Sequence, residues 1–244
     1  MAFSYLVVVN AMWIRYLMIY LAQKLSFRNL TVETNFIMLT VFYFYLLNYA
    51  AVYLMAPIDS MDTDSYFLRQ FFGGMYTDLN AFWFNDIGVL IVSTMVFNSF
   101  YPAIEFFMYW GIRYLYRMID QRSLIANDPK RTHAKTLQAF EQIYQGPTFS
   151  IHWKYAYLLN VTYMTFLFGP QLPILFPVAL ISVACLFITE RMMVAYSYIR
   201  PPMYDSTINA TTIRLMMAAP LVYLFSATWM YTNQQVFQNQ TLVR

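Results

Sequence analysis

Charge is what this sequence has least of: 11% of its 244 residues are Asp, Glu, Lys or Arg, whereas 60% are apolar. A soluble domain carries about 25% charged residues and needs them to cover its surface. So little charge excludes a soluble globular fold. Cysteine occurs once, at Cys185 inside an apolar block, which excludes an internal disulfide. Histidine occurs twice. His133 lies in a basic loop and His152 at a helix entrance, neither with a partner at metal-ligand spacing, so no metal, haem or other cofactor is expected. Gly-rich phosphate loops, a G-x-S-x-G elbow and an H-E-x-x-H helix are all missing, and nothing marks the chain as an enzyme. The net charge of +3 is too small, and basic-aromatic runs too few, for nucleic acid to be a partner. The first 22 residues lack a basic n-region and a small-residue cleavage site. They read as a retained helix or the edge of a longer protein rather than a signal peptide.

What is present is apolar sequence in long blocks. Leu90 to Ala103, Ala156 to Thr189 and Leu215 to Leu242 contain no charge. About 20 apolar residues in a helix cross the hydrocarbon of a bilayer, so the fold class expected is all-α, a polytopic transmembrane helix bundle of about six spans in one domain, 1–244. The segments are Phe3–Leu21, Asn35–Ala56 (stopped by Pro57), Ala81–Asp120, Ser150–Phe168, Ile174–Ile199 (stopped by Pro201-Pro202) and Thr211–Tyr231. The third exceeds what a bilayer needs, so it is expected to tilt, kink at Pro102 or leave the membrane. Thr136–Tyr144 fits a short interfacial helix. Gly169-Pro170-Gln171-Leu172-Pro173 fits a tight turn, or a helix break beside a cavity.

Basic residues set the orientation. Lys24 and Arg28 form one cluster, Arg113, Arg117, Arg122, Lys130, Arg131, Lys135 and Lys154 a second, and Arg191, Arg200 and Arg214 a third. With six spans all three fall on the cytoplasmic side. The acidic link carrying Asp59, Asp62, Asp64 and Asp78 falls opposite, as do both chain ends. Of the N-x-S/T sequons at Asn29, Asn160, Asn209 and Asn239, that placement leaves only Asn239 outside.

Polar residues inside spans are the candidate functional groups, because each is costly facing lipid. They are Asn10 and Arg15 in the first segment, Asn48 in the second, and Asp86, Ser93, Thr94, Asn98 and Glu105 in the third. Asn98 and Glu105 are seven apart and share a face, with Thr94 one turn from Asn98. That stripe fits a helix lining a water-filled path, and equally one hydrogen-bonding to neighbouring helices. Glu190-Arg191 marks the interfacial end of the fifth segment.

Four stretches resemble the OSCA family of osmosensitive, calcium-permeable, stress-gated cation channels, relatives of the anoctamin and transmembrane channel-like proteins. They are Asn10 to Thr34, with Arg15, Lys24 and Thr31-Val32-Glu33-Thr34; Phe82 to Arg117, with Pro102; and Gln138 to Gly146, followed by Tyr155-Ala156-Tyr157. The fourth is Pro170 to Pro177, followed by Glu190-Arg191 and Tyr196-Ser197-Tyr198. The resemblance covers about six of the family's eleven helices, without its earlier helices, cytosolic domain or last helix. The family's central pore helix carries hinge glycines and a nearby acid. Here that region reads Val92-Ser93-Thr94-Met95-Val96, with Gly88 above and Glu105 below.

What the resemblance implies is the pore-bearing part of a mechanically or osmotically gated cation channel. The path would run between the first four segments and be lined by the residues named above. Asp59, Asp62, Asp64 and Asp78 would form its outer mouth, with Gly88 or Pro102 as gating hinge. Partners would be the lipid bilayer, cations, and other membrane chains or a second copy. A phospholipid scramblase and a non-conducting subunit of a larger membrane assembly are the alternatives.

Overall fold

In the computed structural model the described residues are 29–51, 81–122, 132–199 and 203–232, with single positions between 13 and 27. Among them there is no strand; nearly everything is helix. Helix α1 (Leu30–Leu46) runs on into a π-helical turn at Leu47–Ala51. After a helical lead-in, Ala81–Trp83, and a second π turn, Phe84–Gly88, comes α2 (Val89–Gln121), with Pro102 inside it. Then follow α3 (Leu137–Tyr144), α4 (Ile151–Phe168), α5 (Leu175–Tyr196) and α6 (Thr207–Thr232). Four stretches are long and apolar enough to cross a membrane: Leu30–Ala50, Phe84–Gln121, Leu175–Tyr196 and Thr207–Tyr231.

Local chemistry explains the boundaries. The helix α1 begins five residues before the sequence pattern predicts. Asn29 is extended at its N-cap, Glu33 places an acid in the positive first turn, and the Thr34 hydroxyl donates back to Leu30 O at 2.7 Å. Thr136 caps α3, its hydroxyl accepting from Ala139 N at 3.2 Å. Pro177 falls in the first turn of α5, where a missing N–H breaks no helical bond. Between α4 and α5 the chain makes a tight turn, held by Gly169 N to Thr165 O at 2.7 Å and Leu172 N to Phe168 O at 2.9 Å. A Cβ on Gly169 would stand 2.4 Å from Thr165 O and 2.9 Å from the Phe176 ring, so the turn needs glycine.

The described chain forms two compact units. The first takes its described parts from 1–96, 151–180 and 204–244, and the second from 97–150 and 181–203. In the first unit α4 packs against both α1 and α6, and α1 also meets α6. Ten residues of α4 are buried, among them Trp153, Tyr157, Asn160, Tyr163 and Thr165. Edge-on aromatic pairs join α4 to α1: Tyr163 with Phe42 (ring centroids 4.9 Å apart) and Trp153 with Tyr45 (5.4 Å). Each such pair adds about 0.5–1.5 kcal/mol beyond its burial.

Hydroxyl-to-carbonyl bonds tie α4 to α6. Tyr163 donates to Leu215 O at 2.8 Å, and Ser226 to Phe166 O at 3.3 Å. Tyr231 of α6 reaches Pro170 O at 2.7 Å. Polar groups spent inward on neighbouring backbones, with apolar side chains such as Leu180, Met217, Leu221 and Phe225 turned outward, invert the usual soluble arrangement.

The second unit is held by Tyr144, at the end of α3. Its hydroxyl donates to Asp120 Oδ2 at 3.1 Å and accepts from Gln121 Nε2 at 2.8 Å, both at the last turn of α2. The segment after α3 runs beside the segment after α5, where Ile199 N donates to Pro147 O at 3.2 Å. Within the same unit, the Ser99 and Ser182 hydroxyls join α2 to α5 at 2.5 Å.

Candidate functional site

The long stretch from Ala81 to Gln121 carries most of the polar groups singled out in the sequence. Its N-terminal part is not a plain α-helix: Phe84–Gly88 is a π turn that holds both Asp86 and Gly88. Asn48 sits on the other π turn, Leu47–Ala51, and is buried. A π turn carries one residue more than the α-helix it interrupts, and such turns concentrate at functional sites. No residue pattern announced either of them. Gly88 is buried, and a Cβ there would touch the Leu172 side chain at ordinary van der Waals distance, 3.4 Å from Cδ2. Asp86 is exposed.

Further along, Ile91, Met95, Ser99, Pro102 and Glu105 are the buried positions before the last turn, at steps of three and four that make one stripe of the helix. The helix runs on past Pro102, although the proline nitrogen carries no N–H to bond the preceding turn. The candidates divide around this stripe. Ser93 is exposed and donates to Val89 O at 2.6 Å, and Thr94 donates to Leu90 O at 2.8 Å, so both hydroxyls are satisfied within their own helix. Asn98 is half-buried at the edge of the stripe. Glu105 is 7% exposed and lies on it. Asn10, Arg15, Asp59, Asp62, Asp64 and Asp78 lie outside the described residues.

Glu105 belongs to a group of ionisable side chains in the second unit. Tyr198, just past the end of α5, donates to Glu190 at 3.3 and 3.5 Å from its two carboxylate oxygens. Burial pushes the Tyr198 phenol far above its ordinary value, and the negative charges of Glu190 and Glu105 push the same way. The phenol is therefore a fixed neutral donor at neutral pH. Glu190, expected at the interfacial end of the fifth segment, lies in the last two turns of α5, and Tyr198 as its partner was not foreseen.

Arg113 and Arg117, expected as interfacial cations, do more than that. Arg113 donates to Tyr144 O at 3.1 Å, to Gln145 O, and to Ser197 O at 3.4 Å. Arg117 donates to Tyr144 O at 3.3 Å and lies over the Tyr144 ring, 5.5 Å from its centre. Both cations thus meet the carbonyl end of α3, the negative end of its dipole. A backbone acceptor has no residue signature, so sequence could not have named these partners.

Among the described residues, no three His, Cys, Asp or Glu side chains stand close enough to hold a metal ion. His133 binds locally, its ring Nδ1 2.9 Å from Asp120 O. Asn160 is 3% exposed in the middle of α4, so its sequon is inaccessible in the folded chain. Compared with known proteins, the chain matches no family model, no curated protein and no solved structure.

Proposed function

We propose that this chain crosses the membrane several times and forms the pore-bearing part of a cation channel gated by tension or osmotic load. The observation that carries the proposal is the makeup of the membrane-length stretch Phe84–Gln121. It opens on a π turn around Gly88 and places a buried carboxylate, Glu105, 17 residues further on. At 1.5 Å per residue that separation is about 25 Å, most of a bilayer's hydrocarbon thickness. A π turn can slide into α geometry with a change of rotation in everything beyond it. Gly88 has the space and backbone freedom for that change. Glu105 and Asn98 then supply the acceptors that replace water around a permeating cation, with Asp86 toward the outer end. Asp59, Asp62, Asp64 and Asp78 gather cations at the mouth, and calcium permeability follows from carboxylate ligands.

A second reading has its own support. Ser93 and Thr94 bond back to their own helix, and Ser99 to Ser182, which suits a packing subunit with no wet path. The two separate on one preparation. The full chain is placed in liposomes loaded with a calcium dye and labelled phospholipid, and ion flux and lipid scrambling are read together under osmotic swelling. Flux altered in selectivity by Glu105→Gln, and in opening by Gly88→Ala, is the expected result. Gly88→Ala should leave the fold intact, since the added methyl fits. Scrambling without flux assigns the chain to lipid transport, and silence in both assays to the packing role. If Glu105→Gln fails to fold but Glu105→Leu restores it, the carboxylate belongs to the packing and not to a pore.

A further inference from the structure

In the second unit, the last turns of α2 and the segments after α3 and α5 border an open-sided cleft. Its empty space, including the part continuous with solvent, is about 380 Å³. Arg113, Arg117, Trp110 and Tyr114 line it from α2, Pro147 and Met193 from the other walls. The two guanidiniums are four residues apart on one face, with the stacked rings of Trp110 and Tyr114 (13° between planes) alongside. Among the described residues the hydrogen-bond partners of both cations are backbone carbonyls and not carboxylates, so the cleft keeps a net positive charge.

The two arginines are not equivalent. Arg113 is occupied by three backbone carbonyls and works as a strut between α3 and the end of α5. Arg117 has five N–H donors, of which Tyr144 O takes one, and its Nε is shut off from water without any hydrogen-bond partner. A guanidinium with donors left over on its terminal nitrogens, held over a tyrosine ring, suits a tetrahedral phosphate. The source of that phosphate is indicated by the rim. Trp110, which lines the cleft beside Tyr114, is 62% exposed and stands on a helix of membrane-crossing length. Aromatic and apolar side chains beside arginines are what a membrane interface selects, and they leave an acyl chain a surface to lie on.

We propose that this cleft holds the phosphate of an anionic phospholipid headgroup, with Arg117 as its ligand and Arg113 as the strut that shapes the site. The proposal rests on membrane insertion, as in the function proposed above, but not on conduction. The test uses the purified full chain equilibrated with equal amounts of phosphatidic acid and phosphatidylcholine, and native mass spectrometry counts the lipids retained. Wild type should keep one phosphatidic acid with a preference of about fivefold or more, the effect of one interfacial cation on an anionic lipid. Arg117→Gln should reduce the preference to near unity, and Arg117→Lys should keep most of it. Ser197→Asp, which adds a negative charge at the cleft wall, should abolish it without touching either arginine. Equal retention of both lipids by wild type, or an undiminished preference in folded Arg117→Gln or Ser197→Asp, would overturn the proposal. Displacement by millimolar inorganic phosphate would overturn the lipid as its source. Extraction of wild type from vesicles by alkaline carbonate would instead sink the membrane reading itself, so the two failures are distinguishable.

Discussion

Gly146→Ala puts the architecture of the second unit to a severe test. Gly146 has no positive φ, so alanine meets no backbone strain there. The obstacle is proximity: a Cβ would stand 1.8 Å from Ser197 O and 2.9 Å from Ile199 N. Both are backbone atoms and cannot rotate away. The segment after α5 must therefore retreat, giving up the bond from Ile199 N to Pro147 O and the bond from Arg113 to Ser197 O. A neutral hydrogen bond contributes about 0.5–1.5 kcal/mol net, and one from a charged donor about 1.5–3. Their joint loss is about 2–4 kcal/mol. At roughly 2–4 °C per kcal/mol for a chain of this length, Tm falls by about 4–16 °C. Thermal melts of detergent-purified protein, followed by size-exclusion fluorescence, read the change. Gly111→Ala is the internal control. A Cβ at Gly111 meets nothing within 4 Å, and alanine favours a helix interior by up to about 1 kcal/mol, so Tm should hold or rise. If Gly146→Ala melts with wild type, the two segments do not approach as described and the cleft they border loses its wall.

Three further outcomes are expected. A cysteine placed at Ser123, within the densest Lys/Arg cluster, should resist impermeant labelling from outside intact cells; labelling there would contradict the six-span orientation. Asp62→Asn with Asp64→Asn should lower single-channel conductance at low ionic strength and matter less as salt shortens the reach of exposed charge to about 8 Å; salt-independent conductance would remove that link from the mouth. The Tyr198 phenol is held protonated by burial and by Glu190 and Glu105. A folded-state pKa raised above the unfolded value gives stability that is present below about pH 10 and is lost as pH rises further. Tyr198→Phe should flatten that alkaline loss, and a titration curve identical to wild type would refute the assignment.

Much of the fold was legible because apolar block length and proline position are strong local signals. The stretch Ala81–Gln121 and the helices α4, α5 and α6 lie within a few residues of the segments drawn from the sequence, and α3 falls within Thr136–Tyr144. The early start of α1 was missed because Asn29 to Thr34 reads as a polar link. Its first-turn acid and self-bonded threonine are what make it helical. The candidate site was legible only in outline. Residue type flagged Asn48, Asp86 and Glu105 as costly inside a span. It gave no sign that Asn48 and Asp86 ride on π turns, which depend on how the backbone slips under packing. The triple engagement of Arg113 was equally silent, since carbonyl oxygens 31, 32 and 84 residues away carry no side-chain signature.

The central position of α4 has a consequence for how such a chain is made. At 18 residues α4 is long enough to span, yet it is absent from the four helices apolar enough to do so unaided, because His152, Lys154, Asn160, Thr162 and Thr165 interrupt it. A segment of this kind gains little by entering lipid alone and needs the flanks of α1 and α6 to shield its polar groups. The helix α1 leaves the ribosome before it, but α6 follows almost forty residues after α4 ends. If the chain crosses the membrane as proposed, α4 is sheltered on one flank only during synthesis, a half-assembled state that a membrane chaperone or the insertion machinery would have to protect. Chains cut short before Thr207 would be caught in that state, and quality control would meet them as uninserted α4 rather than as a missing last helix.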